Sequence, residues 1–343
     1  MKFGAFDHVD CSDRSLADHI ENRLQLAEAY DRFGIHGYHI AEHHGTPLGL
    51  VPSPSVFLSA VIQRTKRLRI GPLIYLLPLY HPLRLIEEVA MLDAMSGGRF
   101  MLGVGRGASS IEMNFYGIKA EEQQERYLET LDILLKGLQN ETLSHEGKYY
   151  KFDNVPMTVR PQQKPHPELW YGVLSPESTI WAAQRGINVV TLALDAQVKK
   201  MTDLYRSEWA KGGGTTDKLP LMGVSRHIVV ADTDAKAKEI AAEAYAHWRA
   251  SFIKLWVDNG RQIPLSNLYP ETWEELEALK NGCAGSPETV RQYALEEAKR
   301  DGFNYLVSWF AFGNMNVRDS IRSVELFSKH VMPAFENLSV AAE

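Results

Sequence analysis

The densest group of ionisable side chains in this sequence is the run Glu42, His43 and His44. It follows residues 37–41, a short apolar segment that is typical of a β-strand. Adjacent strand residues point to opposite faces, so the two histidines cannot chelate one metal ion together. Because histidine titrates near neutral pH, we interpret the run as a site of general acid/base catalysis. A hydrogen-bonded structural histidine is the alternative interpretation.

A glycine-rich turn containing one arginine follows a second strand-like segment, residues 99–104. It reads GVGRG over residues 103–107 and lacks the G-x-x-G spacing of a dinucleotide-binding fingerprint. Glycines let the backbone approach a ligand closely, and the guanidinium of Arg106 can hold a phosphate group with several donors. We therefore expect an anion site at Arg106; a tight turn with a solvated arginine is the alternative.

Two serines, Ser175 and Ser178, open the helix expected after residues 169–173. Ser175 is placed to cap that helix, with Pro176 at its first position. The free N–H groups and the positive end of the helix dipole also favour an anion there. Arg106 and these serines follow consecutive predicted strands, so we expect them to converge on one phosphate group.

Eight predicted strands alternate with helices and must position these residues. They cover residues 2–6, 37–41, 68–75, 99–104, 169–173, 187–192, 222–231 and 303–308. This rhythm favours an α/β fold, a (β/α)8 TIM barrel over residues 1–343 as one domain, rather than a doubly wound sheet with a second domain. In such a barrel the active site lies at the C-terminal ends of the strands.

Three segments are longer than a barrel connection requires. Residues 105–118 follow the fourth predicted strand. Residues 140–167 follow a helix, so we expect them at the bottom of the barrel, with a small hairpin. Residues 254–285 lie between the seventh strand and its final helix, on the active-site face, and we predict that they form a lid.

Composition excludes several other classes of protein. The 343 residues carry a net charge of −6 without a basic cluster, which argues against a nucleic-acid partner. Two cysteines, Cys11 and Cys283, support neither a disulfide framework nor a zinc site. The most apolar stretch, residues 70–80, is too short to span a membrane, and no signal peptide is evident. We therefore expect a cytoplasmic location, no membrane association and no bound metal.

The sequence resembles the bacterial luciferase-like family of flavin-dependent monooxygenases in an ordered set of segments across nearly the whole chain. These are MKFGAF at 1–6, EHH at 42–44, LP and HPLR between 77 and 84, LDAMSGGRFMLGVGRG at 92–107, WAAQRG at 181–186, GSPE at 285–288 and LFSKHVMP at 326–333.

The resemblance implies a two-component enzyme that binds reduced FMN, supplied by a partner flavin reductase. Oxygen would then form a flavin C4a-hydroperoxide that oxidises a small organic substrate. It makes His43 the catalytic residue, and we include Glu42 beside it. It also implies a cis peptide between Leu73 and Ile74. The candidate cofactor-binding residues are Arg106, Gly107, Ala108, Leu174, Ser175, Ser178, Leu73 and Ile74.

Two departures from the family pattern matter. Luciferases carry a cysteine where this chain has Gly105, so we do not expect light emission from a long-chain aldehyde. The glutamate that precedes their phosphate-binding serine is Leu174 here. Two alternatives stay open: a deazaflavin-dependent dehydrogenase or reductase, and a flavin-binding protein without turnover.

A homodimer is predicted through the helix at residues 81–95, which has more apolar surface than one buried stripe requires. The resemblance implies that this helix packs against its counterpart in a second subunit. If His43 faces the barrel mouth, His44 faces outward and needs a partner. The resemblance also implies that Glu87 of the second chain approaches His44, and we expect this contact across a two-fold axis.

Overall fold

The computed structural model describes residues 1–336 and, of Asp195, the backbone alone. The final seven residues of the predicted domain therefore lie outside the described part. The strands are β1 (Lys2–Asp7), β2 (Gly37–Ile40), β3 (Arg69–Pro72), β4 (Tyr75–Leu76), β5 (Met101–Gly105), β6 (Thr142–Glu146), β7 (Lys151–Pro156), β8 (Glu168–Gly172), β9 (Asn188–Thr191), β10 (Met222–Val230), β11 (Gly282–Gly285) and β12 (Tyr305–Trp309).

Helices lie between most of these strands and cover the outside of the sheet. They are α1 (Leu16–Arg32), α2 (Pro54–Arg64), α3 (Pro82–Ser96), α4 (Ser110–Phe115), α5 (Gln123–Gln139), α6 (Pro176–Ala183), α7 (Asp195–Lys211), α8 (Asp234–Asp258), α9 (Trp273–Ala278), α10 (Pro287–Asp301) and α11 (Val317–Leu326). Proline at the first position of α2, α3, α6 and α10 suits the helix start, where a backbone N–H has no partner to lose.

The parallel strands close into a barrel. Their order is β3-β2-β1-β12-β10-β9-β8-β5-β4, with β11 also paired to β10. The two ends meet because Ile70 of β3 donates its N–H to the carbonyl of Arg99 at 3.1 Å, and β4 pairs with β5. Counting β3 and β4 as one interrupted strand gives eight positions, so the predicted (β/α)8 barrel is confirmed.

Two strands differ from the sequence prediction. The third predicted strand, residues 68–75, is divided into β3 and β4 by a cis peptide between Leu73 and Ile74. The predicted lid contains β11, four buried residues that pair with the C-terminal half of β10 in the register Val230 to Gly285. Its sequence, GCAG, has too little β-branched or aromatic character to be predicted as a strand.

The hairpin of β6 and β7 was expected at the bottom of the barrel, and that placement is wrong for its tip. The carboxylate of Glu129, in α5, accepts the backbone N–H groups of Tyr149 and Tyr150 at 3.0 and 2.8 Å. The ring of Tyr150 also lies 5.5 Å from that of His81, which precedes α3. The hairpin therefore extends along the outside of α3 and α5, away from the bottom of the barrel. The contacts with Glu129 and His81 hold it there.

Candidate active site

The residues with predicted chemistry follow neighbouring strands of the barrel. His43 lies beyond β2, and Arg106 comes directly after β5. Ser175 precedes α6, three residues after the end of β8. Because all these strands are parallel, their C-terminal ends share one rim, which is where barrel active sites form.

His43 is oriented by a carboxylate from the insertion after β5. Its Nδ1 lies 3.1 Å from Oε1 of Glu112, and the same oxygen accepts the backbone N–H of His44 at 2.7 Å. Burial raises the pKa of Glu112, but the hydrogen bond and charge of His43 and the His44 N–H outweigh it, so the pKa is lowered. An ionised Glu112 favours the Nδ1–H form of His43, which leaves Nε2 free to accept a proton.

Glu112 is the functional residue that the sequence analysis missed. It lies in α4, which begins after Ser109, and the Ser109 hydroxyl accepts the backbone N–H of Glu112 at 3.3 Å. The spacing Ser-x-x-Glu is a helix-start signal that was available in the sequence. This signal could have predicted where the helix begins. It could not have predicted that the Glu112 side chain contacts a histidine 69 residues earlier in the sequence.

Glu42 is buried, and both of its carboxylate oxygens are engaged. Oε2 accepts the N–H of Leu76 at 3.0 Å, and Oε1 lies 2.9 Å from Nε2 of His44. Burial raises the pKa of Glu42, although these bonds and the Tyr80 hydroxyl oppose the rise. The geometry gives Glu42 a positioning role between β2 and β4. Its predicted catalytic role stays a prediction.

His44 finds its partners within its own chain. Nε2 pairs with Glu42, and Nδ1 lies 2.8 Å from the hydroxyl of Tyr116. The expectation that His44 needs a partner from a second subunit is therefore wrong. A contact with Glu87 of another chain would have to displace one of these two groups.

The turn after β5 presents an arginine with a free guanidinium. Within residues 1–336 the Arg106 side chain has neither a hydrogen-bond partner nor an ion-pair partner, and it is exposed. The backbone beneath it is held in place, because Nε2 of Gln123 donates to the carbonyls of Arg106 and Gly107 at 2.9 and 3.1 Å. Gly107 has φ of 87°, a left-handed conformation that favours glycine. Ala108 beside it is exposed.

Ser175 and Ser178 form a reciprocal capping box at the start of α6, as the sequence predicted for Ser175. The Ser175 hydroxyl accepts the N–H of Ser178 at 3.3 Å, and the Ser178 hydroxyl accepts the N–H of Ser175 at 3.2 Å. Leu174 before them is 55% exposed. Because β5 and β8 pair in the register Gly103 to Trp170, this helix start and Arg106 lie on adjacent strand ends. The arrangement is suited to an anion that both could contact.

The cis peptide implied by the resemblance is present between Leu73 and Ile74. The Ile74 side chain also packs over the neighbouring glycine. A Cβ atom on Gly105 would lie 1.9 Å from Cδ1 of Ile74. The Ile74 side chain would have to move before a cysteine could occupy position 105.

The two halves of the segment predicted as a lid, residues 254–285, differ in how deeply they are buried. Its second half packs into the protein, with Tyr269 and Trp273 only 3% and 2% exposed, followed by buried β11. Residues 259–267 are exposed or partly buried. The lid prediction is therefore narrowed to residues 259–267.

Neither a metal cluster nor a membrane-spanning helix occurs among the described residues. Within residues 1–336, no group of three or more histidine, cysteine or acidic side chains is arranged to hold a metal ion. In the same range, no helix combines the length and the apolar character that crossing a membrane requires.

The fold and the rim together define a barrel with an oriented histidine and an exposed arginine at its rim, and comparison with known proteins identifies its family. Residues 1–304 match the family model described as luciferase-like monooxygenase. The chain is 38% identical to the uncharacterized protein y4wF of Sinorhizobium fredii, over 97% of this chain and 96% of that protein.

A second relative is the oxygenase component of flavin-dependent trigonelline monooxygenase from Acinetobacter baylyi. It is 28% identical, over 99% of this chain and 97% of its own length. Among solved structures, the oxygenating constituent of 3,6-diketocamphane monooxygenase from Pseudomonas putida, in complex with FMN, has a TM-score of 0.80 at 24% identity. The match covers 97% of this chain and 98% of that one. The chain belongs to the luciferase-like monooxygenase family.

Proposed function

We propose that this protein is the oxygenase component of a two-component monooxygenase, which takes reduced FMN from a separate flavin reductase and oxidises a small organic substrate. The observation that carries the proposal is the oriented His43–Glu112 pair on the same rim as the unpartnered guanidinium of Arg106. The first supplies acid/base chemistry and the second an anchor for a phosphate group.

The protein residues would bind the phosphate of FMN at two adjacent strand ends. Arg106 offers a charged fork of donors, and the start of α6 offers the positive end of a helix dipole. The Ser175 and Ser178 hydroxyls are held by their capping box, so they would contact an anion without first being ordered. Gly107, where a Cβ would lie 2.8 Å from Cε of Met113, keeps the backbone of the turn close to its neighbours.

Reduced flavin supplies the reaction with oxygen when it is bound. The chain's own contribution is then proton transfer and shielding. Nδ1 of His43 donates to Glu112, so Nε2 is the atom that takes or returns a proton. Glu42 fixes the end of β2 by accepting the N–H of Leu76, so the backbone that carries His43 stays in register with β4.

The relatives support flavin as the cofactor class and a reductase as the electron supplier. The trigonelline enzyme is named as flavin-dependent and as an oxygenase component, which implies a partner that reduces the flavin. The diketocamphane enzyme was solved with FMN. Neither name determines the substrate of this chain.

Anaerobic fluorescence titration with reduced FMN, reduced riboflavin and a reduced deazaflavin tests the proposal. We expect reduced FMN to bind more tightly than riboflavin, because only FMN carries the phosphate. Tighter binding of the deazaflavin would favour the dehydrogenase alternative. Binding of FMN without any change in its rate of reaction with oxygen would favour a flavin-binding protein without turnover. Either result would contradict the proposal.

A further inference from the structure

His8, directly after β1, holds a defined proton position. The indole N–H of Trp248 lies 3.4 Å from Nδ1 of His8. An indole nitrogen only donates, so Nδ1 must be the acceptor and carries no proton. In the neutral imidazole the proton then lies on Nε2, which points away from Trp248 because the two ring nitrogens face nearly opposite directions.

The surroundings keep His8 uncharged. Burial lowers its pKa well below the usual range, and the charges of His43 and His227 lower it further. His227 is buried in β10 with its own pKa lowered by burial. These two histidines are the ionisable groups that act on His8, and neither favours its protonation. His8 is therefore a neutral N–H donor rather than a cation.

Among residues 1–336, no group accepts a hydrogen bond from the Nε2–H of His8. Across residues 1–336, Trp248 is the hydrogen-bond partner of His8, and it occupies Nδ1. The ring is partly exposed and stacks on His43 at 5.5 Å between centroids. His8 therefore offers a partly desolvated N–H donor beside the oriented His43. A ligand at the rim can accept a hydrogen bond from it.

Apolar and aromatic groups surround this donor. The ring of Trp309 lies 4.8 Å from His8, edge to face, and Phe252 stacks on Trp248 at 5.1 Å. Leu73 and Phe252, both partly exposed, pack against the same cluster. A ligand here meets apolar rings, the neutral donor of His8 and, stacked beside it, His43.

We propose that the Nε2–H of His8 donates a hydrogen bond to the substrate, and that the substrate carries an uncharged oxygen acceptor on an apolar skeleton. This inference rests on the proposed function, because it assigns the substrate side of the same rim. A neutral donor in an apolar surround is matched by a neutral acceptor, whereas a carboxylate would call for a cation.

Histidine ¹⁵N NMR on the flavin-free protein tests the proton position and the ligand together. His8 is assigned by the signals lost in His8→Phe. We expect Nδ1 unprotonated and Nε2 protonated, and we expect acetophenone to shift the Nε2 signal. In 2-phenylpropene a CH₂ group replaces the carbonyl oxygen of acetophenone. We expect 2-phenylpropene to bind about two- to tenfold more weakly than acetophenone.

Variants separate the donor from the shape of the pocket. In His8→Phe the preference for acetophenone should disappear, whereas His8→Gln, whose amide N–H can replace Nε2–H, should keep it. The control His36→Phe makes the same exchange at the opposite end of the barrel and should leave the preference unchanged.

Three results would each overturn the inference: an unprotonated Nε2, no shift with acetophenone up to its solubility, or an unchanged preference in His8→Phe. None of these measurements contains flavin or oxygen. Their failure is therefore distinguishable from failure of the proposed function, which the flavin titration decides.

Discussion

The carboxylate of Glu112 lies 3.1 Å from Nδ1 of His43, although one residue belongs to the insertion after β5 and the other follows β2. The same carboxylate oxygen accepts the N–H of His44. One side chain thus sets both the tautomer of His43 and the path of the backbone that carries it. The insertion after β5 therefore holds the segment that follows β2 in place.

Replacing Glu112 by glutamine keeps a hydrogen-bond acceptor but removes the charge. We expect the free energy of unfolding at neutral pH to fall by about 1–3 kcal/mol, since charged hydrogen bonds are lost in a buried place. The lowered pKa of Glu112 means that its contribution is present above the ordinary carboxyl pKa and is lost as pH falls through the folded-state pKa. Urea unfolding as a function of pH measures this.

The difference between wild type and Glu112→Gln should therefore shrink below about pH 4. Glu121→Gln, at an exposed position just before α5, is the control and should leave stability unchanged at every pH. A constant difference across the pH range would show that the Glu112 charge does not stabilise the fold.

Replacing Arg106 by alanine should weaken the binding of reduced FMN by roughly 1.5–3 kcal/mol, the typical value of a charged hydrogen bond. Riboflavin affinity should stay unchanged, because riboflavin has no phosphate. Fluorescence titration of both flavins measures the two effects. Arg322→Ala, an exposed arginine on α11, is the control. Equal losses for FMN and riboflavin would refute the assignment of the phosphate to Arg106.

The protein is expected to form a homodimer through α3. Leu85, Ile86 and Val89 are buried within the chain, but Met91 and Met95 are 53% and 44% exposed on the same helix. Light scattering at micromolar concentration should give the mass of a dimer. A monomeric mass would contradict the prediction.

Substitution on α3 locates the interface. A carboxylate buried between two subunits costs several kcal/mol, so Met91→Glu should raise the dimer dissociation constant by more than about tenfold. Leu16→Glu makes the same exchange at an exposed leucine of α1 and should have no effect. A dimer that tolerates Met91→Glu would place the interface elsewhere.

Residues 259–267 should act as the lid, because none of them is buried, whereas Tyr269, Trp273 and β11 beyond them are. Deleting Arg261 and Gln262 should speed the release of hydrogen peroxide when the complex with reduced FMN meets oxygen, since water enters more easily. Deleting Gly212 and Gly213, from the loop between α7 and β10, is the control. Peroxide release at the wild-type rate in the lid deletion would contradict the prediction.

The periodicity of apolar residues was sufficient to predict the barrel, because each strand and helix carries its own pattern. It could not show that Leu73 and Ile74 divide the third strand, since both are ordinary strand formers. Nor could it find β11, whose pairing with β10 comes from contacts distant in sequence.

The site was predicted less completely than the fold. The Glu-His-His run and the glycine-rich turn are local signals, so His43 and Arg106 could be picked out. The partners of these residues are not local. Glu112 reaches His43 and Tyr116 reaches His44 across about 70 residues, and no spacing in one sequence encodes such contacts.

Stopped-flow oxidation of protein-bound reduced FMN, in wild type and in His43→Ala, tests the central claim most directly. We expect the wild-type complex to react with oxygen in resolved phases that free FMN does not show. His43→Ala should slow the reaction by roughly a hundredfold or more while binding FMN as tightly, because a positioned acid/base contributes that much. A reaction indistinguishable from that of free FMN, or a wild-type rate in His43→Ala, would contradict the account.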